Sequence, residues 1–360
     1  MDAGKHQEKK MMGMLEYIHE TPTAVRHMVS RMSILLRDAL QEIEGKEIHE
    51  IILCGSGTSY NAALAAAYPM QEILGIRVNA VYPVPFADRG TIVDEHTLVI
   101  GISQAGQSAS TVKAMRYAKE HGASVLAMSA VRNSPVFQQA DAGIFLDIGE
   151  ENVGPKTKGY FCSAVLLMLF ACAYVGNGNT ADYISRILAE TDRIDAVQEA
   201  FEAWYAENSG KLNPAERVIV VGHSAALGAV YEGALKLLEG IRCSAVGYEM
   251  EEFMHGIYHA VDADTYLFAL DTPGEHRDRL RRLMRYLQEK KHAHVIFITD
   301  EYADDFDCFV WPFTDDPLFA FIQYIVPMQV SARRISLDQG TDCERSADPD
   351  FHREMESYIY

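Results

Sequence analysis

The stretch that decides the fold runs from Glu50 to Tyr60 and reads E-I-I-L-C-G-S-G-T-S-Y. Its first five residues form a short apolar run, which is typical of a buried strand. The glycines and hydroxyl residues that follow predict a tight turn, and the alanine-rich segment from Tyr60 to Leu74 predicts a helix. A strand, a glycine-rich turn and a helix in this order begin a βαβ unit. The sequence therefore predicts an α/β fold whose ligand site lies beyond the carboxyl end of this strand.

The same alternation continues along the chain. Further strands are predicted at 77–84, 97–102, 124–128, 142–146, 218–221, 265–270, 294–299 and 309–312, and further helices at 14–43, 109–121, 226–239, 275–291 and 318–335, with a kink at Pro327. The string I-V-V-G-H-S at 219–224 echoes I-L-C-G-S at 52–56, which indicates a duplicated unit. Each unit is expected to be a parallel sheet covered by helices, giving three layers.

These patterns divide the chain into five segments. A glycine- and asparagine-rich break at 177–179 separates the two α/β units. We expect an N-terminal helical segment at 1–44, a first domain at 45–178, a helical connector at 179–213, a second domain at 214–337 and a C-terminal tail at 338–360.

Composition excludes several classes of function. The 360 residues include 32 Lys and Arg against 51 Asp and Glu, a net charge of -19 that disfavours binding to nucleic acid or to an anionic membrane surface. None of the six cysteines forms a C-x-x-C pair, the first ten residues are polar, and the apolar run 161–175 is too short for a typical membrane span. We therefore expect a cytoplasmic protein in which 161–175 is a buried helix.

Two hydroxyl-rich turns form the candidate ligand site. The first resembles the start of a dinucleotide fingerprint, but Tyr60 occupies the third glycine position, and the chain has no G-x-x-x-x-G-K-[ST] motif. The second turn, S-Q-A-G-Q-S at 103–108, also lies between a predicted strand and a helix. Both turns would meet at one sheet edge, where hydroxyls and backbone N–H groups hold a single phosphate. The predicted phosphate ligands are Ser56, Thr58, Ser59, Ser103, Gln104 and Ser108.

Glu239 and His255 are the candidates for moving a proton between adjacent carbons of a sugar. Taken alone, Glu239 is equally a helix-end carboxylate and His255 one of thirteen histidines, most of them expected on the surface. Lys236 lies on the same helix face as Glu239, where it either neutralises substrate charge or pairs with that carboxylate. Glu252 shares a turn with His255 and is a candidate to orient its ring.

Several short stretches of this chain, taken in their order along the sequence, resemble those of SIS (sugar isomerase) domains. The two turns are similar to the C-G-T-S-Y and S-Q-S-G-E-T turns of the tandem pair in the isomerase half of glucosamine-6-phosphate synthase and in fructosamine-phosphate deglycases. V-G-P-K-T-K-G-Y at 153–160 resembles G-V-A-S-T-K-A-F, E-G-A-L-K-L-L-E at 232–239 resembles E-G-A-L-K-L-K-E, and E-F-M-H-G at 252–256 resembles G-E-L-K-H-G-P. The resemblance covers about residues 48–342.

The resemblance implies that Glu239 is the base at C1 and C2 of the sugar and that His255 acts at the ring or departing oxygen. It also implies Lys158 as a further substrate-site residue, and a homodimer or higher homo-oligomer whose subunits share the site. Two departures stand out: Ala105 replaces a serine, and no lysine follows Lys291, although the related synthase forms a Schiff base through a lysine in its tail. A fructosamine 6-phosphate already carries its amine, so the sequence favours a deglycase that needs no metal or redox cofactor.

Three other functions remain open at this stage. One is an amino-sugar-phosphate isomerase or deaminase that uses the same Glu–His pair. Another is a sugar-phosphate-binding regulator without catalysis, which would have little need for both Glu239 and His255. The last is a nucleotide-binding oxidoreductase, which Tyr60 and the lack of a carboxylate at the end of the second predicted strand oppose.

Overall fold

The computed structural model describes residues 12–176, 179–303 and 306–360. Within them, two five-stranded sheets form, and every strand pair is parallel. The first sheet contains β1 (Glu50–Cys54), β2 (Arg77–Val81), β3 (Thr97–Ile102), β4 (Ser124–Ser129) and β5 (Ala142–Phe145). The second contains β6 (Arg217–Gly222), β7 (Ser244–Glu249), β8 (Tyr266–Asp271), β9 (His294–Thr299) and β10 (Asp307–Val310).

Helices cover and connect the sheets. They are α1 (Met14–Ser30), α2 (Met32–Leu35), α3 (Arg37–Glu42), α4 (Thr58–Leu74), α5 (Pro83–Asp88), α6 (Ala109–Glu120), α7 (Pro135–Gln139), α8 (Lys158–Val175), α9 (Thr180–Thr191), α10 (Ile194–Leu212), α11 (Leu227–Ile241), α12 (Met250–Phe253), α13 (Arg277–Lys291), α14 (Phe321–Tyr324), α15 (Val326–Asp338) and α16 (Phe351–Glu354). Short 3₁₀ turns occupy Ser224–Ala226 and Ile257–Ala260.

The two sheets have the same strand order. The first runs β2-β1-β3-β4-β5, and the second, taken from its other edge, runs β7-β6-β8-β9-β10. Numbered along the chain within each half, the strands therefore follow the same spatial order, 2-1-3-4-5. This equivalence, together with the all-parallel pairing, confirms the predicted α/β fold of two related units.

The order of the first sheet fixes where a ligand site can form. β1 lies between β2 and β3, so the chain leaves β1 toward one side of the sheet and leaves β3 toward the other. The connections after these two strands diverge and open a crevice at their carboxyl ends. The two hydroxyl-rich turns, 55–59 and 103–108, both lie at this crevice.

Helix α8 forms the centre of the largest core. Each of its residues from Lys158 to Cys172 is buried, and it packs against α4 and α1. By length and composition α8 is apolar enough to cross a membrane, but most of it lies inside the protein. Its apolar character all round is explained by this burial, and the expectation of a buried helix is confirmed.

Helices α4 and α11 join the two halves through a close backbone approach. A Cβ atom placed on Gly228 in α11 would lie 2.4 Å from the Cβ of Ala65 in α4, which is shorter than any real contact. The glycine therefore lets the two helices touch. Because α4 begins at the first turn and α11 carries Glu239, this contact brings the candidate phosphate and proton-transfer residues together.

The structure differs from the predicted elements in several places, one of which is that the predicted strand 77–84 ends at Val81 and helix α5 begins at Pro83. The segment 14–43 forms three helices rather than one, and the predicted 318–335 helix is two, with Pro327 in the first turn of α15 rather than at a kink. Strand β7 was not predicted at all. Residues 177 and 178 of the predicted chain break lie outside the described residues.

Candidate functional site

The first turn follows β1 and opens α4. Gly57 adopts a φ of 56°, in the region that favours glycine, and Asn61 closes the turn by donating its backbone N–H to the Gly57 carbonyl at 3.0 Å. Ser56 is exposed, whereas Thr58 and Ser59 are half-buried. The Ser59 hydroxyl has no hydrogen-bond partner among the described residues, which leaves it available to a ligand.

The second turn follows β3 and opens α6. Gly106 has a φ of 74°, and a Cβ there would lie 2.3 Å from Ser134, so the position requires glycine for both conformation and space. Ser103 is buried, and its side-chain hydroxyl bonds to no other residue in the described ranges. The Ser108 hydroxyl caps α6 by accepting the Thr111 backbone N–H at 3.4 Å. Ser108 therefore has a structural role in addition to the one predicted.

Gln104 is committed to a neighbouring loop. Its side-chain amide donates to Glu151 Oε2 at 2.8 Å, and the same buried carboxylate accepts the backbone N–H groups of Thr157 at 2.7 Å and Gly159 at 3.0 Å. A Cβ on Gly159 would lie 2.1 Å from the Gln104 amide oxygen. The amide thus holds the loop 151–157 against the second turn.

Beside the first turn, α11 carries three charged residues on one face: Glu232, Lys236 and Glu239. The Lys236 ammonium lies 2.6 Å from Glu239 Oε2 and 3.4 Å from Glu232 Oε1. Glu232 and Lys236 are fully buried, whereas the Glu239 side chain is 35% exposed. Glu239 is therefore the carboxylate of this group that a substrate can reach.

Side chains from the first half complete the surroundings of Glu232. Thr58 donates its hydroxyl to Glu232 Oε1 at 3.0 Å, and Asn61 donates its amide to Oε2 at 2.8 Å. Lys236 also donates to the Thr58 hydroxyl at 3.2 Å. Thr58, predicted as a phosphate ligand, thus links the first turn to the charged face of α11.

Burial governs the titration of this cluster. It raises the pKa of Glu232 to about 7, although Lys236 and Asn61 favour the charged form. Burial also disfavours the charge on Lys236, but Glu232 and Glu239 more than offset this and raise its pKa. Lys236 consequently stays protonated beside Glu239.

The structure does not bring Glu239 and His255 together within one chain. The His255 side chain is 70% exposed. Its Nε2 atom lies 4.0 Å from Oε1 of Glu251, so the carboxylate near its ring belongs to Glu251 rather than to the predicted Glu252. The Glu251 carboxylate is itself bonded by Arg279 at 2.7 and 2.8 Å. Glu252 contacts His255 only through its backbone carbonyl, which accepts the His255 N–H at 2.9 Å.

Lys158 faces away from the charged cluster. Its ammonium donates to Glu20 Oε2 at 2.7 Å and to the Glu150 carbonyl at 3.0 Å, and it lies over the Tyr17 ring. Two residues earlier, the Lys156 ammonium donates to the backbone carbonyls of Glu151 at 2.6 Å and Val153 at 2.9 Å, within the loop that Gln104 holds. The lysine that the structure brings next to the second turn is therefore Lys156.

Three site residues were not singled out from the sequence: Asn61, Lys156 and Glu232. The i, i+4, i+7 spacing of Glu232, Lys236 and Glu239 places them on one helix face, so the sequence could have predicted Glu232 as a neighbour of Lys236 and Glu239. Asn61 and Lys156 had none, because their roles depend on contacts between distant segments.

A group of metal-ligating side chains lies away from this site. Glu47, His49 and His96 flank the amino ends of β1 and β3, and their ligand atoms lie within 4.8 Å of one another. At the charged face of α11, Lys236 occupies the space between the two glutamates. The residues there suit proton transfer rather than metal binding.

The pKa of Glu232 predicts how stability depends on pH. Between the ordinary value of 4.5 and about 7, the folded protein keeps a proton that the unfolded chain has lost, so stability falls as pH rises through this window. The total is on the order of 3 kcal/mol. Urea unfolding from pH 4.5 to 8 should show the wild type losing this stability relative to Glu232→Gln, with exposed Glu72→Gln as the control. The same pH dependence of the unfolding free energy in the wild type and in Glu232→Gln would contradict the raised pKa of Glu232.

Comparison with known proteins places these features in a family. The SIS domain model matches residues 46–175 and 211–307. The glutamine–fructose-6-phosphate aminotransferase (isomerizing) of Methanothermobacter thermautotrophicus is 28% identical over 339 residues, which cover 92% of this chain and 55% of that protein. The chain thus spans about half the length of the curated relatives it matches.

Two solved structures are similar over nearly their whole length. One, from Clostridium difficile 630 and provisionally described as a phosphosugar isomerase, is 31% identical with a TM-score of 0.88, covering 96% of this chain and 98% of that one. The other, provisionally described as a sugar binding protein of Salmonella typhimurium LT2, is 32% identical with a TM-score of 0.78, covering 89% and 98%. Because the family model matches well over half of the chain, the protein belongs to the SIS domain family, as its two hydroxyl-rich turns predict, and its relatives point to a sugar-phosphate function.

Proposed function

We propose that this chain is a deglycase that cleaves a fructosamine 6-phosphate into glucose 6-phosphate and a free amino acid. The observation that carries the proposal is the position of Glu239, which is partly exposed, bonded by the buried Lys236 and linked through Thr58 to the phosphate turn. A carboxylate held at a fixed distance from a phosphate site can act on one particular carbon of a sugar.

The chemistry needs one proton shift and one water molecule. Glu239 takes a proton from C1, giving an enaminol across C1 and C2. Return of a proton at C2 leaves a C1=N imine, and water then adds at C1 and releases the amine. Lys236, protonated beside Glu239, holds that carboxylate in place and stabilises the negative charge that develops on the sugar oxygen.

The lysine content of the chain favours a substrate that already carries nitrogen. An isomerase that aminates a ketose needs ammonia or a Schiff base, and no lysine follows Lys291 in this sequence. A fructosamine brings its amine at C1, so deglycation needs no lysine Schiff base, and Glu239 beside Lys236 serves as the base. This distinction supports the deglycase over an isomerase that aminates a ketose.

We also propose that the working form is a cytoplasmic homo-oligomer with shared sites. Within one chain, His255 is largely exposed and has no hydrogen bond or ion pair to Glu239. A second copy that placed its own histidine beside Glu239 would supply the acid for the ring or departing oxygen. The family resemblance implies the same arrangement.

The product identifies the reaction. Incubation with 6-phosphofructosyl-glycine, in EDTA and without added nucleotide, should yield glucose 6-phosphate and free glycine in equal amounts. Mass spectrometry and an enzymatic glucose 6-phosphate assay measure both. Release of ammonia from glucosamine 6-phosphate, with the fructosamine untouched, would establish a deaminase instead. Binding without turnover of either compound would indicate a regulator.

Replacing Glu239 tests the proposed base. Glu239→Gln keeps the volume and the hydrogen bond from Lys236 but removes the proton acceptor, so kcat should fall by about 10²–10⁴. KM should change little, because the phosphate is held by the other half of the chain. Glu289→Gln, an exposed position on α13, is the matched control. A folded Glu239→Gln variant with the wild-type kcat would rule out this residue as the base.

Replacing the two unbonded hydroxyls tests the phosphate turns. Ser59→Ala with Ser103→Ala should raise KM for the 6-phosphate, since each lost hydrogen bond to a charged group costs roughly 1.5–3 kcal/mol. Steady-state kinetics with the unphosphorylated fructosamine provide the control, because its kcat/KM should stay the same. An unchanged KM for the phosphorylated substrate would place the phosphate elsewhere.

A further inference from the structure

Three metal-ligating side chains meet at the amino end of the first sheet: Glu47, His49 and His96. Each residue has one ligand atom that lies within 4.8 Å of those of the other two. The distance from His49 Nε2 to Glu47 Oε1 is 3.2 Å. Two ligands bound to zinc at about 2.0–2.1 Å in a tetrahedral site are separated by roughly 3.3 Å. The imidazole and the carboxylate therefore already have the spacing that a tetrahedral ion requires.

The pairing of β1 with β3 holds the two histidines side by side. Glu50 lies opposite Thr97 in the register of these strands, and His49 and His96 each come one residue earlier. The His49 backbone N–H donates to the His96 carbonyl at 2.9 Å, which extends the ladder by one step. Asp94 fixes the turn before β3 by accepting the His96 backbone N–H at 3.0 Å. The ligands are thus carried by a rigid part of the fold, as a metal site requires.

A hydrogen bond determines the tautomer of His96. Its Nδ1 atom lies 2.8 Å from the backbone carbonyl of Glu47, and because a carbonyl oxygen only accepts, Nδ1 carries the proton. In the neutral ring the lone pair is then on Nε2. Imidazoles that bind metals almost always donate their other N–H to a carbonyl or a carboxylate in this way. His96 therefore already makes the outer contact that is typical of a metal ligand.

The second imidazole has room to turn toward an ion. The His49 and His96 rings stack with their centroids 4.5 Å apart and their planes inclined by 19°, so one ring must rotate for both lone pairs to converge. The His49 side chain is 54% exposed and that of Glu47 is 76% exposed, which leaves both free to adjust. A cavity of about 700 Å³ opens beside His49, bordered by Glu72 and Arg77. Rotation of His49 therefore needs no change in the backbone.

The ligand types select the kind of metal. Two imidazoles and one carboxylate suit Zn²⁺, whereas Mg²⁺ and Ca²⁺ prefer oxygen ligands. We propose that Glu47, His49 and His96 bind one Zn²⁺, with water as the fourth ligand, and that the ion fastens the amino end of β1 to that of β3. The hydroxyl-rich turns lie at the other end of these strands, so the ion stabilises the fold and takes no part in proton transfer.

Zinc titration of the protein tests the site. After treatment with EDTA and its removal, the wild type should bind one Zn²⁺ at this site in calorimetry. His49→Gln and His96→Gln should each weaken binding by at least about 10-fold, since loss of even an outer contact of a metal ligand has this effect. His19→Gln, which removes an exposed histidine paired with Asp195, is the matched control and should bind as the wild type does.

Thermal unfolding tests whether the ion fastens the strands. His96 is distant in sequence from the other two ligands, so only the folded chain assembles the site, and Zn²⁺ should raise the unfolding midpoint. This rise should occur in the wild type and in His19→Gln but not in His49→Gln or His96→Gln. In EDTA, all four proteins should unfold at similar temperatures, which shows that the substitutions themselves leave the fold intact.

Modification of the wild type provides a test without substitutions. Diethyl pyrocarbonate carbethoxylates accessible imidazoles, and mass spectrometry locates the product. Zn²⁺ should protect His49 and His96 but leave His19 reactive. Equal Zn²⁺ affinity in the wild type and both cluster variants, no binding by the wild type, or no protection of His49 would overturn the proposal, and binding without a rise in the midpoint would overturn the fastening role. Turnover in EDTA decides the proposed function separately.

Discussion

The burial of a charged group between the two halves is the interaction on which the rest of the site depends. Glu232 and Lys236 are both inaccessible to solvent, and an unpaired charge in such a place would cost several kcal/mol. Thr58 and Asn61 from the first half complete their hydrogen bonds, so the pair is satisfied only when α4 and α11 are in contact. The close approach at Gly228 makes this contact possible. Assembly of the two halves and assembly of the site are therefore one event.

The sequence predicted the buried strands well because their signal is local. β1, β3 and β9 have the bounds predicted for them, because each contains an apolar run that is covered on both faces. β7 escaped notice because it is an edge strand with a glycine at its centre and mostly half-exposed residues, so it lacks the apolar run of its neighbours. Its place is determined by pairing with β6, an interaction that no local pattern encodes.

The site was predictable wherever its residues share one turn or one helix. The two hydroxyl-rich turns and the face of α11 fall in this class. Lys158 and Lys156 do not, because they lie at the start of α8, where one ammonium bonds to Glu20 of α1 and the other bonds to carbonyls of the loop 151–157. His255 is a similar case: its distance from Glu239 within one chain follows from where β7 and α12 lead the backbone.

The negative net charge of the chain makes the positions of the few cations near the site important for binding an anion. With a net charge of -19, the protein as a whole repels a doubly charged sugar phosphate. The local field at the site must therefore overcome the global one. Hydroxyls and backbone N–H groups are able to hold a phosphate without adding charge, while the buried Lys236 places a positive charge where water is excluded and its effect is strongest.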